Sequence, residues 1–176
     1  MGRLVGIVRF LFYFIYSKIN PLGYARYRGV KMGSNVHFYG MKPGMFSTEP
    51  WLITLGDNVY VTSGCQFITH DGGTLVLRRI QPDLEVTARI TVGNNVYIGM
   101  NSMIMPGVEI GDNVVIGAGS IVTKSLSANT VYAGVPARPI KSLDQYLASL
   151  REKSLGFGHL SAKEKEMALK KHFGVE

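Results

Sequence analysis

The 176-residue chain is most informative first in what it lacks. It has a single cysteine, Cys65, which excludes a disulfide framework and a cysteine-based structural zinc site and suits a reducing cytoplasm. No acidic residue occurs before Glu49, whereas residues 1–42 carry seven bases. Bases interleaved with aromatics on a nucleic-acid-presenting motif are also missing, which argues against nucleic-acid binding. With 46% apolar residues the composition excludes wholesale disorder. Glycine is abundant, at 21 residues, but without a collagen period, so it serves a repeated turn.

That turn belongs to a repeat of six. From Val92, residues 92, 98, 104, 110, 116 and 122 are Val, Ile, Ile, Ile, Ile and Val. An earlier block keeps the same frame from Leu55 as LGDNVY, VTSGCQ and FITHDG, and a fainter one begins at Met32. Neither a 3.6-residue helical period nor simple alternation fits; a six-residue period is the sign of a β-helix, in which stacked coils bury each other's aliphatics. The fourth slot is usually Asn or Gly, residue types that tolerate left-handed corners. The reading is therefore one solenoid domain over 30–141, an apolar and basic segment over 1–29, and a helical tail over 142–176.

The frame makes its exceptions visible. His70 takes a fourth slot, where a histidine is expected to accept a positive φ and keep the corner. Residues 72–89 then leave the frame, as a loop that carries function on a rigid scaffold does. Asp71 falls in the inward fifth slot, where a lone charge is costly, so it must turn out or pair. Cys65 takes the same slot as a small core residue, without the electropositive setting that makes a thiol reactive. Glu49 and Trp51 precede His70 by about one coil, so both could approach it. His37, His159 and His172 read as structural or exposed.

The hexapeptide run, the histidine followed by a loop, and the stretch IGAGSIVTKSLSANTVYAGVPARPI together resemble the left-handed β-helix acyltransferases, over about residues 30–141. More narrowly they are similar to the xenobiotic and sugar O-acetyltransferase group, in its polysaccharide-biosynthesis branch. The resemblance implies a left-handed parallel β-helix and a homotrimer with acetyl-CoA between neighbouring subunits. It places His70 as the general base that takes a proton from the acceptor as it attacks the thioester, work that suits an imidazole near neutral pH. It also implies that Tyr97, the Met100 backbone N–H, Ala118, Thr123 and Lys124 follow the cofactor, with Arg138 and Lys141 near its 3′-phosphate. Glu49, Trp51 and Asp71 are the substrate candidates. No metal is expected: the γ-type carbonic anhydrases share the solenoid but need three zinc-binding histidines, and the repeat region offers only His37 and His70.

The expected activity is O-acetylation of a sugar of a surface polysaccharide, or of its nucleotide- or lipid-linked precursor. The rival readings are N-acetylation of a nucleotide-linked amino sugar and a non-catalytic scaffold. Residues 4–19 read as an apolar helix, shorter than the roughly 20 residues of a membrane span, and no convincing signal-peptide cleavage site follows. Two readings stand: a helix packed on the open end of the solenoid, or an anchor at the cytoplasmic membrane face, with bases across residues 3–31 meeting anionic head groups. At the other end, Ser142 with Gln145 and Ser161 with Glu164 have capping-box spacing and predict helices.

Overall fold

The computed structural model describes residues 2–175. The chain forms two compact units, one ending at Leu143 and the other starting at Asp144. Helices α1 (Gly2–Ile19) and α2 (Pro21–Tyr27) lead into the strands β1 (Lys31–Met32), β2 (His37–Phe38), β3 (Ile53–Leu55), β4 (Val59–Val61) and β5 (Gln66–Phe67). The loop that follows carries a one-turn helix, α3 (Thr74–Leu77). Strands resume with β6 (Ile90–Val92), β7 (Val96–Ile98), β8 (Met103–Ile104), β9 (Glu109–Ile110), β10 (Val115–Ile116) and β11 (Ile121–Val122), then β12 (Thr130–Ala133) and β13 (Arg138–Ser142).

The strands build three sheets, and the chain visits them in turn. β1, β3, β6 and β9 form one; β2, β4, β7, β10, β12 and β13 a second; β5, β8 and β11 a third. Pairing is parallel except between β12 and β13. Register puts Met32, Leu55, Val92 and Ile110 in one column. Phe38, Val61, Ile98, Ile116 and Tyr132 form the next, and Phe46, Phe67, Ile104 and Val122 the third. These are the first slots of the repeat. Together with fifth-slot Val59, Cys65, Val96, Ser102, Val108 and Val114 they fill the interior of a three-sided parallel β-solenoid, nearly all fully buried. Truncating one of the isoleucines to Ala costs about 2–5 kcal/mol, because stacked coils leave little room to collapse into the cavity.

The corners explain the polar slots. Asn35, Asn58, Asn95, Asn113 and Asn129 all sit at φ between 52° and 58°. Each of the first four passes its side-chain N–H to the next side-chain oxygen, at 2.7, 3.0, 3.0 and 2.9 Å. Asparagine tolerates the left-handed backbone and its amide continues the ladder from coil to coil, which glycine cannot do. At the next corner Gly64 (φ +77°) makes room for the coil above: a Cβ there would lie 2.0 Å from Asn101 Oδ1, which would have to move.

The two ends of the solenoid are closed differently. Tyr24 and Ala25 of α2 are fully buried in the core at the first coil, with the Tyr24 hydroxyl donating to the Pro43 carbonyl at 3.1 Å. Helix α2 therefore takes the capping role that one sequence reading assigned to residues 4–19. Helix α1 packs on α2 through edge-on rings of Tyr13 and Tyr16 against Tyr24. At the other end the chain reverses beyond Gly134 (φ +102°), and β13 covers the edge of β12. The second unit holds most of helix α4 (Leu143–Lys153) and helix α5 (Ala162–Phe173), whose start carries the expected Ser161–Glu164 capping box.

Candidate functional site

The first coil is longer than the nominal 18 residues, and this decides what meets His70. Lys31 pairs with Thr54, a step of 23 residues instead of 18, with the extra residues in the turns either side of Phe46. Phe46 pairs with Phe67, the Phe67 N–H donates to the Met45 carbonyl, and the Ser47 N–H donates to the Phe67 carbonyl. Continued for two residues, this register lays Thr48 and Glu49 over Thr69 and His70.

The contacts are close. His70 Nδ1 lies 2.9 Å from Glu49 Oε2, with Thr48 Oγ1 at 3.2 Å and Ser47 Oγ at 3.3 Å. The Thr69 hydroxyl donates to Glu49 Oε2 at 2.6 Å, and the Thr48 hydroxyl donates to Glu49 Oε1. Partial burial pushes the Glu49 carboxyl up, but the hydroxyls of Thr48 and Thr69 and the His70 ring outweigh it and hold the group at about 2. Glu49 is thus ionised near neutral pH and can only accept, so the proton between it and the ring sits on His70 Nδ1. That tautomer leaves Nε2 as a lone-pair acceptor, and no described residue is within hydrogen-bond distance of it.

The loop closes one side. Its roots are tied by the Asp71 N–H to the Val86 carbonyl and the Ala88 N–H to the Thr69 carbonyl, each at 2.8 Å. His70 pairs with Thr87 in this small antiparallel bridge and is not among the positive-φ residues. The expected left-handed corner is therefore absent: the backbone stays extended into the loop, and the turn is made further out. Asp71 is turned out to solvent, its Oδ1 accepting from the Gly73 N–H at 2.8 Å, which answers the inward-charge problem. Arg78 pairs with Glu85 at 2.5 Å within the loop. Glu49, His70, Asp71, Leu75, Arg78 and Glu85 are among the residues lining a cleft of about 230 Å³, below the roughly 300–1,000 Å³ of complete small-molecule sites.

A family model described as bacterial transferase hexapeptide (six repeats) matches residues 89–124. Protein CapG of Staphylococcus aureus is 43% identical over 145 residues, covering 82% of this chain and 84% of that protein. The chain belongs to the hexapeptide-repeat acyltransferases. The galactoside O-acetyltransferase of Escherichia coli K12 is 41% identical over 117 residues, 64% of this chain but only 56% of that enzyme. Among solved structures, a hexapeptide-repeat acetyltransferase of Vibrio cholerae complexed with acetyl coenzyme A aligns with a TM-score of 0.50 at 29% identity, covering 65% of this chain and 61% of that one.

In this acyltransferase the residues expected along the cofactor are not beside His70. Tyr97 is on β7, exposed and in register with Tyr60 and His37 on the outer face of the second sheet. Met100 and Ala118 are exposed at the corner where the chain passes from the second sheet to the third, in successive coils linked by the Gly119 N–H donating to the Met100 carbonyl at 2.7 Å. Their own N–H groups have no acceptor among the described residues. His70 stands at the opposite end of the third sheet's side, after β5, while Thr123 and Lys124 follow β11 on that side. Arg138 and Lys141 lie on β13. Trp51 is exposed on the turn after Glu49, next to Gly29, and lines no part of the His70 cleft. On this side the step from Phe46 to Phe67 is 21 residues, so a spacing of 19 carries it past the corner. Cys65 is fully buried, its Sγ donating to the Gly99 carbonyl at 3.1 Å, and burial pushes the thiol up.

The polar residues that the sequence reading missed are Ser47, Thr48 and Thr69. The signal was present in the 23-residue step, but the nominal 18-residue coil conceals it.

Proposed function

We propose that this protein transfers an acetyl group from acetyl-CoA to a sugar hydroxyl of a surface polysaccharide or its nucleotide- or lipid-linked precursor, directly, with His70 as general base. The observation carrying this reading is the pairing of an ionised Glu49 with His70 Nδ1 at the wall of a cleft. Nε2 is then the acceptor for the proton of the attacking hydroxyl, and the positive charge that develops on the ring faces a carboxylate already in place. Glu49 is a positioning residue: its oxygens are committed to Thr48, Thr69 and His70. Asp71, exposed on the same cleft, is the carboxylate available to a sugar hydroxyl.

Bound acetyl-CoA supplies an activated acyl thioester. The free N–H groups of Met100 and Ala118 fit such a ligand, since its thioester and amide carbonyls are acceptors in need of donors. Tyr97, Thr123 and Lys124 would flank its arm, and the exposed Arg138 with Lys141 would face its 3′-phosphate. Because Met100 and His70 occupy opposite ends of one side of the solenoid, a groove containing both requires a neighbouring copy. This supports a homotrimer of left-handed β-helices with the site between subunits. The small cleft volume of a single chain agrees with it. The sugar-hydroxyl acceptor is supported by the likeness to galactoside O-acetyltransferase.

The test is thiol release from acetyl-CoA with a panel of sugar acceptors. His70→Ala is expected to lower turnover about 10²–10⁴-fold. A variant that keeps its full rate would refute the general-base role and favour a scaffold.

A further inference from the structure

We infer that α1 seats the protein on an anionic membrane surface, lying in the interface without crossing it. Helix α1 has two faces. Tyr13, Tyr16 and the buried Ser17 turn toward α2. Away from them, Ile7, Val8, Leu11, Phe14, Ile15 and Ile19 recur at spacings of three and four, each between 45% and 78% exposed. Such a stripe along more than three turns is too large to leave in water without a partner. Among the described residues no helix is long and apolar enough to cross a membrane, and Arg9 interrupts the run.

Charge selects the occupant. Arg3, Arg9, Lys18, Arg26, Arg28, Lys31 and Lys42 stand in a stretch with no acid, and from Arg9 onward none of them appears in an ion pair among the described residues. A second copy of this segment would bring the same positive charges against these, whereas anionic head groups are complementary to them. Each Lys or Arg near such a surface contributes about 1 kcal/mol, and the apolar stripe provides the burial that an in-plane helix needs. Helix α2 joins this anchor rigidly to the first coil, through Tyr24 and Ala25 in the core.

The experiment is flotation of the full chain with vesicles of phosphatidylcholine alone or mixed with phosphatidylglycerol. Wild type is expected to float with the mixed vesicles only and to dissociate in high salt. Replacing Arg9 and Lys18 with Gln should lower the partition coefficient about thirtyfold, at about 1 kcal/mol per charge. The double variant Leu11→Glu with Ile15→Glu should stay with the soluble fraction. Circular dichroism and oligomer mass are read on every variant. Wild type that ignores anionic vesicles overturns the proposal, as does equal flotation of wild type and the Gln variant. So does a Leu11→Glu, Ile15→Glu protein that changes oligomer mass while wild type binds no vesicles, because the stripe would then be a contact between copies.

Discussion

Replacing Glu49 with Gln changes one interaction and should lower turnover by an amount that the geometry of the pair sets. The side chain keeps its shape and still accepts from His70 Nδ1, so the tautomer survives while the negative charge goes. At 2.9 Å, and with a third of the His70 side chain and a quarter of Glu49 open to solvent, the pair is screened nearly as in water. Coulomb's law then gives about 1.4 kcal/mol between the carboxylate and a protonated ring. The ring becomes cationic as it takes the acceptor's proton, so without that attraction plateau turnover should fall about tenfold. The assay is thiol release with a saturating sugar acceptor, with His70→Ala measured alongside. A Glu49→Gln protein that keeps its full turnover would remove Glu49 from the site, and His70 would act without a carboxylate partner.

The same carboxylate predicts an acid sensitivity. Held at about 2 against an ordinary 4.5, it contributes stability that is complete above about pH 4.5 and disappears as pH falls through 2. The shift corresponds to at most about 3 kcal/mol, reduced to about 2 by solvent access. Urea unfolding of wild type and Glu49→Gln should therefore converge as pH drops from 4.5; a constant difference would argue against an ionised partner. In the corner ladder, Asn95→Ala loses the side-chain bonds to Asn58 and Asn113 and leaves a Cβ residue at φ 55°. It should cost about 2 kcal/mol in the urea midpoint, while Asn95→Gly, free of the backbone strain, should recover about half. Equal losses would mean that the left-handed angle matters little there.

Much of the architecture was legible because a solenoid repeats its physics. Each first-slot aliphatic meets the same environment one coil away, so Val92 to Val122 announce their columns without tertiary information. The Asn and Gly corners follow from backbone angle alone. His70 stood out because it broke that pattern. The corner itself was misread: a histidine that tolerates positive φ was expected to adopt it, but antiparallel pairing with Thr87 offered the backbone hydrogen bonds that an extended conformation needs. Trp51 was placed by a uniform coil length that the first coil does not keep. The capping of the solenoid by the seven-residue α2 was also hidden, since its one buried aromatic carries no period of its own.

Sequence by itself determined the period, the inward residues, the corner chemistry and the unequal distribution of charge. These are local or nearest-neighbour properties, and each recurs often enough to be read. Tertiary structure decided that Glu49, Thr48 and Thr69 surround one imidazole nitrogen, that Asp71 faces water, and that Met100 lies across the solenoid's side from His70. Such relations depend on how many residues each coil spends before returning, and a few extra residues in one turn move every later contact without disturbing the repeat.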